Sequence, residues 1–132
     1  MRLALDADRY QDLCQGDLAV AGVLEEAERV FVPFVVLAEL RAGFAVGARG
    51  AENERVLRRF LDKPGVDVLY AGDGTTRVYA GLYRQLRRQG TPIPINDLWI
   101  ASLVVEHNLA LFSRDRHFRH LAQLEIVTIK SP

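Results

Sequence analysis

Cysteine occurs once, at Cys14, so neither a disulfide framework nor a cysteine metal site can be built. No apolar run approaches the ~18 residues of a membrane span, and no membrane partner is expected. The opening MRLALDAD reaches an acid too soon for a signal peptide. Net charge is also missing: 17 Lys+Arg balance 17 Asp+Glu, which argues against strong, unfocused binding to DNA. There is no internal repeat and no linker. What is present is an ordinary globular composition, 49% hydrophobic and 26% charged over 132 residues. That length suits one domain with a real core, residues 1–132, and a cytoplasmic protein is the simplest expectation.

The charge is unevenly spread. Through Leu40 the chain has 3 arginines against 8 acids, a balance of −5, and the remainder carries +5. Leu3-Ala4-Leu5 reads as a first strand that stops at Asp6. Asp8 to Gly16 reads as a short helix, and Asp17 caps a second. Val30 to Phe34 is a second strand, limited by Pro33. A helix follows from about Val35, with Glu39 one turn into it. Ala51 to Leu61 and Asp73 to Gln89 have helical spacing of apolar residues, and Val66 to Tyr70 alternates like a strand.

Residues Ile93 to Phe118 organise the rest. Asn96 is placed to cap a helix that is apolar on nearly every side, Leu98 to Val105, and therefore buried. Asn108 closes it, since Asn tolerates the left-handed turn. Leu109 to Phe112 is a short buried strand with Asp115 just past its end. A short helix around Phe118 to Leu121 and a last strand, Ile126 to Ile129, complete the order β-α-α-β-α-α-β-α-α-β-α-β. Such alternation implies an α/β fold with a parallel sheet between helices.

Three acids occupy equivalent places: Asp6 after one strand, Asp115 after another, Asp97 at a helix start. Ligand sites in open α/β sheets form outside the carboxyl ends of the strands, and Glu39 can reach the same rim. Carboxylates converging there repel one another, and a divalent cation relieves the repulsion. Oxygen ligands suit Mg2+, with Mn2+ as a substitute. A metal so held can activate water against a phosphodiester. Against this, 17 acidic residues are mostly solvated faces or caps, and Asp97 or Glu39 alone could be one of them.

Leu5-Asp6 with Arg9-Tyr10, VPFVVLAELRAGF (Val32 to Phe44), PINDLWIA (Pro94 to Ala101) and SRDRHF (Ser113 to Phe118) together resemble the PIN domain. More narrowly, they resemble VapC-type toxin ribonucleases of type II toxin–antitoxin pairs. The resemblance spans essentially the whole chain. It implies an α/β/α sandwich with a mainly parallel sheet of about five strands. It further implies a Mg2+-dependent endoribonuclease, an RNA substrate, a cognate antitoxin and a homodimer. By matching motif, Asp6, Glu39, Asp97 and Asp115 are the catalytic and metal-binding quartet. Asp6 and Asp97 are expected as direct ligands, and Ser113 as a hydrogen-bonding residue within the site. One departure stands out. Thr or Ser and then Asn usually follow the first Asp, whereas this chain has Ala7 and Asp8. Two readings of Asp8 stay open: it points away as a helix cap, or it adds a fifth charge that tightens metal binding or unsettles the loop.

Of the arginines, Arg114 and Arg116 flank Asp115 and rank highest for gripping RNA. His117-Phe118 is expected to pack below the site, and no histidine base is assigned. Trp99 is expected in the core. Two other functions compete. LDAD resembles the D-x-D start of haloacid-dehalogenase phosphatases, but that pattern wants a downstream lysine, and only Lys63 and Lys130 are available. The alternative to an enzyme is a catalytically impaired binding module of the same fold.

Overall fold

Leu3, Ala4 and Leu5 are each 0% exposed, as a strand covered on both faces by helices must be. They belong to β1 (Arg2–Leu5), the middle strand of the sheet in a computed structural model that describes residues 1–129. The other strands are β2 (Arg29–Pro33), β3 (Val66–Leu69), β4 (Ala110–Phe112) and β5 (Glu125–Ile126). Their order is β3-β2-β1-β4-β5, and every pairing is parallel. The helices are α1 (Ala7–Cys14), α2 (Leu18–Glu26), α3 (Phe34–Val46), α4 (Gly50–Leu61), α5 (Asp73–Gln89) and α6 (Ile95–Glu106), with a 3₁₀ helix at Arg116–His120. This is an α/β/α sandwich in the element order expected from sequence.

The connections explain where a site can form. From β1 the chain steps one way through β2 to β3. It then returns, by way of α5 and α6, to lay β4 on the other side of β1. Right-handed crossovers put helices of opposite-going steps on opposite faces. The faces therefore part at the carboxyl ends of β1 and β4, the switch point where a crevice opens. Register fixes its floor, with Leu5 opposite Phe112 and the Asp6 N–H donating to the Phe112 carbonyl at 3.1 Å.

Local boundaries follow identifiable chemistry. Asp17 caps α2, its Oδ1 accepting from the Ala19 and Val20 N–H groups at 3.0 and 3.2 Å. Gly90 ends α5 at φ +72°, where a Cβ would be strained. Asn108 takes the left-handed turn after α6 at φ 53°. Two expectations need correction. Asn96 is not the cap of α6: the helix begins at Ile95 after Pro94, with no side-chain cap. Pro94 has the fixed φ and missing N–H of a helix-start residue, so the chain turns helical before the polar pair. The last strand is also shorter than Ile126 to Ile129. Only Glu125 and Ile126 pair with β4, and one further bond runs from the Val127 N–H to the Leu111 carbonyl at 2.8 Å.

Candidate metal centre at the switch point of the sheet

Asp6 leaves β1 and becomes the cap of α1, its Oδ1 accepting from the Ala7 N–H at 2.8 Å. Its Oδ2 accepts from the Ser113 hydroxyl at 2.6 Å. The Ser113 oxygen in turn accepts from the Asp115 N–H at 3.1 Å. One buried hydroxyl thus ties residues more than a hundred positions apart. Asp6 is itself buried. Burial raises its pKa above the ordinary aspartate value, and the Ser113 hydrogen bond opposes that rise.

The first turn of α6 brings Asp97 to the same crevice. It is 7% exposed, and its Oδ2 is buried without a hydrogen-bond donor. His117 Nδ1 lies 3.2 Å from that oxygen and 2.8 Å from Asp115 Oδ1. Burial, and after it the neighbouring Asp115 carboxylate, push Asp97 up to about 7. Asp115 goes the other way. Burial would raise it, but the His117 N–H, donating to Oδ1 at 2.9 Å, and the imidazole beside it hold it below the usual range. The two acids thus divide one proton unequally, as close carboxylates do.

Glu39 enters from α3, an exposed residue on the open side of the crevice. Partial shielding raises its pKa first, and the charges of Asp6, Asp115 and Asp8 raise it further. Beside it a groove of about 590 Å³ runs between α1, α3 and α4, lined by Tyr10, Cys14, Leu40 and Phe44 among others. The charges of Asp6 and Asp115 therefore act on both Glu39 and Asp97.

The surroundings depart from expectation in three ways. His117 does not pack below the site; it is half exposed and faces Asp97 and Asp115, while Phe118 alone is core. The spacing held the signal. An Asp that caps a turn through the N–H two residues on brings that residue's side chain back beside its carboxylate. Asp8 does not point away as a cap, since Asp6 fills that role. Asp8 Oδ2 instead accepts from the Arg114 N–H at 3.0 Å. The Arg114 guanidinium is engaged by Asp12 through two 3.1 Å bonds, so it is not a free phosphate grip. Trp99 is half-buried and packs against the core, its ring centre 4.5 Å from that of Tyr79.

The donor set fits a divalent cation. Single ligand atoms from Asp97, Asp115 and His117 all lie within 4.8 Å of one another. Asp97 Oδ2 has no donor of its own, and the raised acids mark negative charge that lacks a counter-charge. A cation answers both deficits. Asp8 adds a further charge at the rim: its Oδ2 also accepts a long 3.4 Å contact from the Ser113 hydroxyl, its Oδ1 is buried without a partner, and its charge raises both Asp6 and Glu39.

Comparison with known proteins agrees with the fold. The family model of the PIN domain matches residues 15–124, a span that holds Glu39, Asp97 and Asp115 and begins after Asp6. Ribonuclease VapC5 of Mycobacterium tuberculosis (strain ATCC 25618 / H37Rv) is 31% identical over 112 residues, 80% of this chain and 83% of the relative. Ribonuclease VapC4 of the same strain is 30% identical over 98 residues, 74% and 75% of the two chains. Among solved structures, VapBC-5 from Mycobacterium tuberculosis, a member of the VapBC family of toxin–antitoxin systems, is 29% identical with a TM-score of 0.75, over 96% of this chain and 97% of that one. VapBC2 from Rickettsia felis, solved on a DNA fragment from its promoter, has a TM-score of 0.85 over 96% and 98%, and at 23% identity it speaks for the fold.

Proposed function

The chain belongs to the PIN domain family, and from that premise we propose that it is a metal-dependent endoribonuclease, the toxin of a type II toxin–antitoxin pair. One observation carries the reading. The charges of Asp6 and Asp115 act on both Glu39, from α3, and Asp97, from α6, and Asp97 keeps a buried oxygen without a donor. Mg2+ is the expected ion and Mn2+ its substitute, since the ligands are mostly hard oxygens. The relatives VapC4 and VapC5, both named ribonucleases, supply the substrate class. The VapBC assemblies supply the partner, a cognate antitoxin. The same reading takes residues 1–132 as one domain that forms a homodimer in the cytoplasm. Among the described residues no helix is long and apolar enough to cross a membrane.

Asp6 and Asp97 are taken as the direct ligands, because they are the most buried of the four and a counter-charge favours their ionised form. Asp115 is already held ionised beside His117 and completes the cup. Glu39, on the solvent side, orients the attacking water. The bound ion supplies polarisation of that water and neutralisation of charge on the phosphodiester. Ser113 keeps Asp6 and Asp115 at a fixed separation through its two hydrogen bonds.

The phosphatase alternative is not favoured. Asp8 is engaged by the Arg114 backbone rather than free as a general acid. Lys63 lies ahead of the edge strand β3, at its amino end, whereas Asp6 follows the carboxyl end of the middle strand, and Lys130 lies outside the described residues. The test is cleavage of labelled RNA and of a small phosphomonoester, with Mg2+, with Mn2+ and with EDTA. RNA alone should be cut, only with metal, and Asp6→Asn or Asp97→Asn should abolish cutting while the fold persists. Undiminished RNA cleavage in either variant would overturn the assignment.

A further inference from the structure

The cup depends on a short segment, Ser113 to Asp115, staying at a fixed distance from α1. Ser113 alone spans the gap inside the site. Outside it, a second set of contacts joins the same two elements. The Arg114 N–H donates to Asp8 Oδ2 at 3.0 Å. The Arg114 guanidinium donates to Asp12 from Nε to Oδ2 and from Nη2 to Oδ1, each at 3.1 Å. Arg9 Nη1 donates to the same Asp12 Oδ2 at 3.2 Å. The Arg9 guanidinium carbon stands 5.0 Å from the centre of the Phe112 ring. Phe112, Arg9, Asp12 and Arg114 therefore link the end of β4, through α1, to the segment that carries Asp115.

Geometry separates this from an ordinary surface pair. The Asp12 side chain is only 15% exposed, and both of its oxygens are used. A two-point guanidinium–carboxylate contact fixes direction as well as distance. The backbone bond at Asp8 adds a third point on the same residue. Resting on the metal-centre reading above, we propose that Asp12 and Arg114 are positioning residues. They form a clasp between α1 and the segment after β4 that sets Asp115 and Ser113 at the separation from Asp6 that the cation requires. Arg114, which flanks a candidate ligand, thereby serves the metal site from outside and is withheld from the RNA. Asp12 is held ionised by the Arg114 hydrogen bonds, as a fixed partner should be.

The test is calorimetric titration of the full chain with Mn2+ alone, alongside RNA kinetics and melting of the metal-free protein. Asp12→Asn and Arg114→Gln should each weaken Mn2+ binding on the order of tenfold, the usual cost of losing a residue that orients a ligand. The double variant should lose no more than either single one, because both changes open one contact. KM for RNA at saturating metal should stay within about twofold of the parent. Unchanged Mn2+ affinity in both single variants would overturn the clasp, whether or not the metal-free melting temperature falls. A raised KM with unchanged Mn2+ affinity would also overturn it, by making Arg114 a substrate contact. If the parent chain binds Mn2+ but cuts no RNA, the ribonuclease reading fails while the calorimetry still judges the clasp.

Discussion

Asp97 combines burial with a carboxylate neighbour, and its proton is the most informative one in the molecule. Its folded value of about 7 lies above the ordinary 3.8. Between those limits the metal-free folded chain keeps a proton that the unfolded chain has released. Stability therefore falls as pH rises through that window, by on the order of 2–4 kcal/mol in all, while the lowered Asp115 acts below the window, where its stabilisation is lost as pH falls. Metal reverses the sign, because it competes with that proton. Thermal melts in EDTA should lose stability from about pH 4 to about pH 7, and the gain on adding Mg2+ should grow over the same range. A flat EDTA profile would mean that Asp97 ionises like an exposed acid. Ser113→Ala removes the donor at 2.6 Å from Asp6 Oδ2 and the acceptor of the Asp115 N–H. It should cost ~1–3 kcal/mol in urea denaturation and weaken Mg2+ binding measurably. Asp6 and Asp115 stand where a strand has just ended and Asp97 in the first turn of a helix, places that local patterning marks, whereas Glu39 lies inside α3 and is marked only by its spacing from the helix start. His117 was not legible, because its role arises from a turn that folds it back over Asp115, and apolar patterning does not report such folding.

Helix starts show how far local sequence carries. Asp17 and Asn96 both precede apolar helices and look alike as caps. Only Asp17 is one, with two backbone N–H groups on its Oδ1, whereas α6 starts before Asn96. Asp17→Ala should therefore cost ~1 kcal/mol, and Asn96→Ala less than ~0.5 kcal/mol, in paired urea titrations. Equal losses would restore Asn96 as a cap. The difference lies in Pro94, which begins the helical turn ahead of the polar residue. This matters beyond stability: had Asn96 been the cap, Asp97 would be the first helical residue rather than one turned inward later in the first turn. Strands were legible where burial is complete, as in Leu3 to Leu5 and Leu109 to Phe112. The edge strand β5 was overextended. Apolar Val127 and Ile129 suggest continued pairing, but β4 has only three residues to offer.

At the scale of the whole molecule, the chain closes a loop in sequence: its first strand and its fourth lie side by side, and Asp6 and Asp115 share one hydroxyl. A cation bound by both, and by Asp97, ties together segments that an unfolded chain cannot hold near one another. Binding should therefore appear as global stability. At ~100 times Kd a single ion adds ~2.7 kcal/mol, which for a domain of this size raises Tm by roughly 8–13 °C. If one ion is shared, its ligands cannot be counted separately. Asp6→Asn and Asp97→Asn should each remove most of the Mg2+-induced rise in Tm, and the double variant should remove little more. Melting curves of the parent, both single variants and the double, each with Mg2+ and with EDTA, measure this directly. Two partial losses that sum in the double variant would mean two independent sites. That result would divide the acids between separate ions and undo the single cup from which the function is argued.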